Sequence, residues 1–146
     1  TFAALSSTIE GMPLLYGGQE AGLDKRLEFF EKDTILWNNS ELTDFYKILF
    51  NLKKDNKALW NGDYGGNIEI ISSREDSLSL AFIRTKDENK VLTIFNLSDK
   101  KIEIELSSEN LKGIYISAFT KDKKTFKQNE NLFLEPWQFY IYTNKK

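Results

Sequence analysis

The sequence predicts an α+β chain in which a helix, a strand, a long loop and a second helix precede an antiparallel β-sandwich. Three observations predict it. The apolar run Met12 to Tyr16 ends abruptly at Gly17-Gly18, with the acid Glu20 just beyond, the pattern of a buried parallel strand opening into a ligand-facing loop. Behind Ser40 apolar residues recur at helical spacing. After Trp60 the period drops from 3.6 to 2.

The elements follow in order. Phe2, Leu5 and Ile9 fall at i, i+3 and i+7 ahead of Gly11, the closing turns of an amphipathic helix. The strand over 12–16 comes next. Residues 17–39 form a long polar connection that carries Asp24-Lys25-Arg26-Leu27-Glu28-Phe29-Phe30 and Trp37. A connection of that length in a compact domain is usually functional. Ser40 caps a helix over about 41–54, with Leu42, Phe45, Tyr46, Leu49 and Leu52 in one stripe. Glu41 and Asp44 sit near its start and Lys53 and Lys54 near its end, as the helix dipole favours.

Asn61-Gly62-Asp63-Tyr64-Gly65-Gly66 is turn chemistry, and it divides the chain into a first unit, 1–56, and a second, 57–146. Strand candidates then recur at 67–72, 77–85, 90–97, 101–106, 113–119, 131–135 and 137–143. Ile102, Ile104 and Leu106 alternate with Lys101, Glu103 and Glu105, a half-buried strand with one wet face. Asp87-Glu88-Asn89 and Ser98-Asp99-Lys100 make the hairpin connections. Short strands with turns between them predict a sandwich.

Composition excludes several function classes. With 146 residues, 40% of them hydrophobic and 14% aromatic, the chain has a packed core rather than disorder. Twenty basic residues against 22 acidic ones leave a charge of −2, and neither sign forms a long run. No nucleic-acid backbone or anionic membrane is expected as a partner. Lys100-Lys101 and Lys123-Lys124 read as solvated faces. The absence of Cys and His removes disulfides, thiol chemistry, Ser-His triads and most zinc sites. No apolar run approaches the ~20 residues that span a bilayer, and no leader is visible ahead of Thr1.

The stretch Gly11-Met12-Pro13-Leu14-Leu15-Tyr16-Gly17-Gly18-Gln19-Glu20 resembles the eighth barrel strand of the alpha-amylase superfamily of glycoside hydrolases (family 13), G-x-P-x-[hydrophobic]-Y-x-G-x-E. Gly11, Pro13, Leu15, Tyr16, Gly18 and Glu20 match, whereas Gly17 stands where many relatives carry Asn. The order of Phe82-Ile83-Arg84, Val91 to Ser98 and Leu134 to Tyr142 is similar to the β-sandwich that follows the barrel in this superfamily. The resemblance covers essentially the whole chain. It implies that 1–56 are the end of a (β/α)8 barrel, which needs about 250 residues in all, and that 57–146 are its C-terminal sandwich.

The same resemblance implies a retaining enzyme of starch-like α-glucans, with maltooligosaccharide as the partner of the parent protein. Its two carboxylates would stand about 5–5.5 Å apart. The nucleophile on strand four, the acid/base on strand five and a His-Asp pair after strand seven all fall upstream of Thr1. No catalytic residue, metal ligand or cofactor is therefore assigned to this chain, and the calcium frequent in the superfamily belongs elsewhere in the barrel. Strand 12–16 would present unpaired edges, open to self-association with a second copy.

Two residues are candidate sugar contacts. Glu20, just past a barrel strand, either orients the barrel's floor or accepts from a sugar, or else is a structural carboxylate bonding backbone amides or an Arg in the following turn. Arg26 either lines the cleft, an Arg in this loop being common among relatives, or pairs with Asp24 or Glu28. Glu28 and Glu31 share a face only if 24–32 is helical, and the interleaved Lys25, Arg26 and Lys32 favour a salt-bridged, solvated loop. Trp37, Trp60, Tyr64 and Trp137 are expected at the core or the seam between units. The alternative is a carbohydrate-binding module that holds glucan through Trp60 and Tyr64. Asn38-Asn39-Ser40 and Asn96-Leu97-Ser98 match the glycosylation triplet, a match that is usually accidental.

Overall fold

A computed structural model describes residues 1–37, 40–72 and 77–144. Two helices, α1 (Phe2–Thr8) and α2 (Glu41–Asp55), precede eight strands. These are β1 (Ile68–Ile70), β2 (Ser79–Lys86), β3 (Asn89–Asn96), β4 (Ile102–Ser107), β5 (Gly113–Ser117), β6 (Lys123–Phe126), β7 (Asn129–Leu134) and β8 (Phe139–Thr143). Six form an antiparallel sheet in the order β1-β2-β3-β8-β5-β6, and β4 pairs with β7 in a second.

The large sheet is covered on both faces. Ala81, Ile83, Leu92, Ile94 and Tyr142 meet Ile104, Leu106 and Leu134 of the small sheet, with Phe126 and Tyr115 between them. The opposite face carries Phe82, Val91, Phe95 and Ile141 against Ala4, Leu49, Ala58 and Leu59. Two covered faces explain why Val91 to Asn96 is buried at every position rather than at alternate ones.

Helix α2 forms where its stripe and cap place it. Ser40 Oγ accepts from the Leu42 amide at 3.2 Å, and Phe45 packs on Phe119 and Phe139. Asn56 ends the helix and ties it to the sandwich: Oδ1 accepts from the Ala58 amide, and Nδ2 donates to Thr143 Oγ1 at 3.0 Å. Helix α1 turns further than its stripe implies. Ala4 and Thr8 are its buried centre, Leu5 and Ile9 flank them, and Phe2 stays exposed.

Two readings change. Residues 12–16, expected as a strand, belong to no ladder, and Met12 and Leu14 are 84% and 87% exposed. A strand exists through its neighbours' hydrogen bonds, and among the described residues none lies beside this run. Conversely, the candidate strands pass over 123–126, where the structure has β6, the charged outer strand that shields an edge, with Lys123 on a solvated face as read. The Asn61–Gly66 turn contains a short 3₁₀ helix, Gly62–Tyr64.

Candidate functional site

Glu20 sits in a single 3₁₀ turn, Gln19–Ala21, directly after the apolar run. Its Oε2 accepts from the Gly18 amide at 3.1 Å, and its backbone oxygen accepts from Thr43 Oγ1 of α2 at 2.8 Å. Gln19 Oε1 accepts from the Tyr16 amide at 2.9 Å. The carboxylate thus turns back on its own loop, and Glu20 is half-buried there.

Arg26 is exposed, and among the described residues neither Asp24 nor Glu28 is ion-paired with it. The loop's ion pair is instead Lys25–Asp33 at 2.5 Å. Asp33 also accepts from the Glu28 and Thr34 amides, at 3.1 and 2.7 Å, and so clasps the base of a loop whose tip carries Phe29 and Phe30. Those rings stand edge to face at 4.8 Å and are almost fully exposed. Residues 24–32 are not helical, so Glu28 and Glu31 share no helix face.

The Lys25 bond first, then the two amides, hold the Asp33 carboxyl down at about 2. A carboxyl depressed in the folded state favours the clasp above the unfolded value of 3.8, and that contribution is lost as pH falls through about 2. Solvent screens the pair, so titration reads it better than stability does. Carboxyl-carbon NMR is expected to give Asp33 a midpoint near 2, with the loop intact at pH 3. An ordinary carboxylate midpoint would show that the clasp does not form.

The tryptophans divide. Trp60 Nε1 donates to Lys54 O at 3.0 Å, which pins the ring to the end of α2, while Trp37 and Tyr64 are largely exposed. Trp137 lies in the turn before β8 at φ 56°, its ring 6.1 Å from Phe2. Asn96 is fully buried, with Oδ1 accepting from Ser98 and Nδ2 donating to Lys100 O and Glu135 O. Its amide is thus occupied, and the triplet it begins is a structural cap. In the other triplet, Asn38 and Asn39 lie outside the described residues. Among the described residues no three His, Cys, Asp or Glu side chains are grouped to hold a metal, and no helix is long and apolar enough to cross a membrane.

The family model described as Maltogenic Amylase, C-terminal domain, matches residues 68–141. The chain is 29% identical over 126 residues to Alpha-amylase 2 of Dictyoglomus thermophilum, an alignment covering 77% of this chain and 20% of that protein. Its fold is similar to a noncanonic maltogenic alpha-amylase, AmyB, from Thermotoga neapolitana, with a TM-score of 0.78 at 14% identity over 97% of this chain and 35% of that one. The structure of AmyP in complex with maltose is similar at a TM-score of 0.72 and 15% identity, over 97% of this chain and 33% of that one. The chain thus spans about a fifth of the length of the curated relative it matches.

Proposed function

Because the chain belongs to the family of maltogenic amylase C-terminal domains, we propose that it is the non-catalytic end of a retaining glycoside hydrolase acting on α-glucosidic bonds of starch-like glucans. The observation that carries the reading is the order of two independent signals. The strand-eight motif at 11–20 comes first, and the sandwich matched over 68–141 follows it.

In this reading residues 1–56 close a (β/α)8 barrel and 17–39 form one wall of its cleft. The clasp at Asp33 fixes the outer part of that wall. Glu20 holds the turn at the strand's end, where barrel enzymes build their sites, and Arg26, exposed in the same loop, is free to donate to sugar hydroxyls. The carboxylates that break the bond belong to the upstream barrel. AmyP, similar in fold, was solved with maltose, which supports a maltooligosaccharide as the ligand of the whole protein.

The test is to read the coding DNA upstream of Thr1 and follow the encoded protein's first products by NMR. The expected frame continues into a barrel with an Asp, a Glu and a His-Asp pair at successive strand ends, and the product released first keeps the α configuration. A barrel without those acids leaves only a binding role. An inverted product rules out retention.

A further inference from the structure

The turn that joins α2 to the sheet holds the chain's single Asn-Gly pair, Asn61-Gly62. The main chain is anchored on either side of it. Lys53 Nζ donates to Leu59 O at 2.7 Å and Arg84 Nη2 to Trp60 O at 2.8 Å, while the Gly66 amide donates to Ala58 O at 3.0 Å. Between these anchors the pair itself is untethered. Asn61 precedes the 3₁₀ turn Gly62–Tyr64 without a side-chain cap bond, and its Oδ1 lies buried with no hydrogen-bond partner. The Gly62 amide opens that turn, so it lacks a helical acceptor, and among the described residues it donates to no other. Gly62 is exposed, and nothing lies within 4 Å of where its Cβ would stand.

A free main-chain amide next to an unheld side-chain amide supplies both reactants of succinimide formation. We infer that Asn61 is a site of spontaneous deamidation, and that the change loosens the junction around Arg84. The Gly62 nitrogen gives up its proton and bonds to Asn61 Cγ, the Cγ–Nδ2 bond breaks, and Nδ2 leaves with that proton as ammonia. Water then opens the imide ring at either carbonyl and leaves aspartate or isoaspartate at 61. Closure needs rotation about the Asn61 ψ, now 153°. No hydrogen bond of either group has to break first, and glycine sets no side chain beside the attacking nitrogen. Lys53 and Lys54 line the same notch as Asn61, so the carboxylate formed there meets two ammonium groups.

Asn89 is the contrast. Its Oδ1 is also buried and without a partner, but the residue is 3% exposed and is followed by Lys90, whose amide donates to Asn144 Oδ1 at 2.8 Å. There the nucleophile is held and carries a side chain. Asn56 and Asn96 have both side-chain amide atoms bonded. Isoaspartate at 61 routes the main chain through its side chain and lengthens it by one carbon. That carbon falls between the Arg84 bond at Trp60 and the Gly66 bond to Ala58, so the two no longer fit one turn together.

The test is peptide mapping by mass spectrometry of the 146-residue chain, aged in warm, mildly alkaline buffer both folded and in urea. A gain of about 1 Da is expected at 61 before any at Asn89, with aspartate and isoaspartate both formed. The folded rate should lie within roughly ten-fold of the rate in urea, since an exposed turn opens locally at little cost. Gly62→Ala should slow the gain at least roughly ten-fold in urea, where the fold plays no part. In the isoaspartate fraction the Gly66 amide should exchange roughly ten-fold faster than in fresh chain. A gain led by another asparagine, no slowing in Gly62→Ala, or a folded rate further below that in urea would overturn the site. Unchanged exchange at Gly66 in the isoaspartate fraction would overturn the loosening.

Discussion

Replacing Arg84 by methionine is expected to remove about 3–5 kcal/mol of folding stability, read from urea denaturation. Arg84 is 1% exposed and, among the described residues, has no carboxylate partner within bonding distance. Its guanidinium instead donates to four backbone carbonyls: Nε to Gly66 at 2.8 Å, Nη1 to Thr8 and Ile9 at 3.0 Å each, and Nη2 to Trp60 at 2.8 Å. Two of those oxygens lie at the end of α1, where carbonyls lack helical partners and a cation is favoured. Burial pushes the guanidinium's pKa down and the charge of Glu10 opposes it. A methionine would relieve the desolvation of the charge, which is why whole buried ion pairs can be replaced without loss. Here the acceptors are main chain, and no substitution removes them. Each carbonyl left dry costs about 1–3 kcal/mol, so the loss outweighs the relief. Arg84→Lys keeps the charge, but one ammonium cannot span four acceptors, and about half the loss is expected. Since α1 has only seven residues, too few to persist alone, its amides should lose exchange protection first. A methionine variant within about 1 kcal/mol of the parent would refute this account.

None of this was visible in the sequence, where Arg84 stood only as the last residue of an apolar run. Its acceptors come from positions 8, 9, 60 and 66, and no local pattern joins them. What was legible is what local physics decides. The cap at Ser40, the stripe through Phe45, Leu49 and Leu52 and the terminal charges placed α2 to within a residue. Alternation placed β2, β3, β4 and β8. It missed β6, because Lys123-Lys124-Thr125-Phe126 has a single buried residue and the charged composition of a protected edge. It drew a strand at 12–16 because an apolar run encodes burial, whereas a ladder needs a neighbour. For the candidate site, the motif located Glu20 and its turn but not the direction of the carboxylate, which depends on the Gly18 amide. Asp33 passed as one acid among several, since its clasp with Lys25 spans eight residues of irregular loop.

Alanine at Gly65 is expected to cost about 3 kcal/mol or more, although the backbone there is ordinary. Its φ of −98° and ψ of 176° are open to any residue, so the glycine is present for space. A Cβ would lie 1.8 Å from the Trp60 carbonyl oxygen and 3.0 Å from Arg84 Nη2. A main-chain carbonyl held by a guanidinium cannot swing aside as a flexible side chain does. If it moves, the Nη2 bond goes with it. Gly62, three residues earlier, gives the contrast. At φ 56° with nothing near its Cβ position, alanine there meets only the left-handed penalty of about 1–2 kcal/mol. Two glycines of one turn thus differ in mechanism as well as in size of effect. Because Gly65→Ala and Arg84→Met both act through the Trp60 carbonyl, the double variant should lose at least about 1 kcal/mol less than the sum of the singles. The pair Gly62→Ala and Arg84→Met should add. If Gly65→Ala also adds to Arg84→Met in urea denaturation, the shared carbonyl is not what makes the glycine necessary, and the junction is held by two separate contacts.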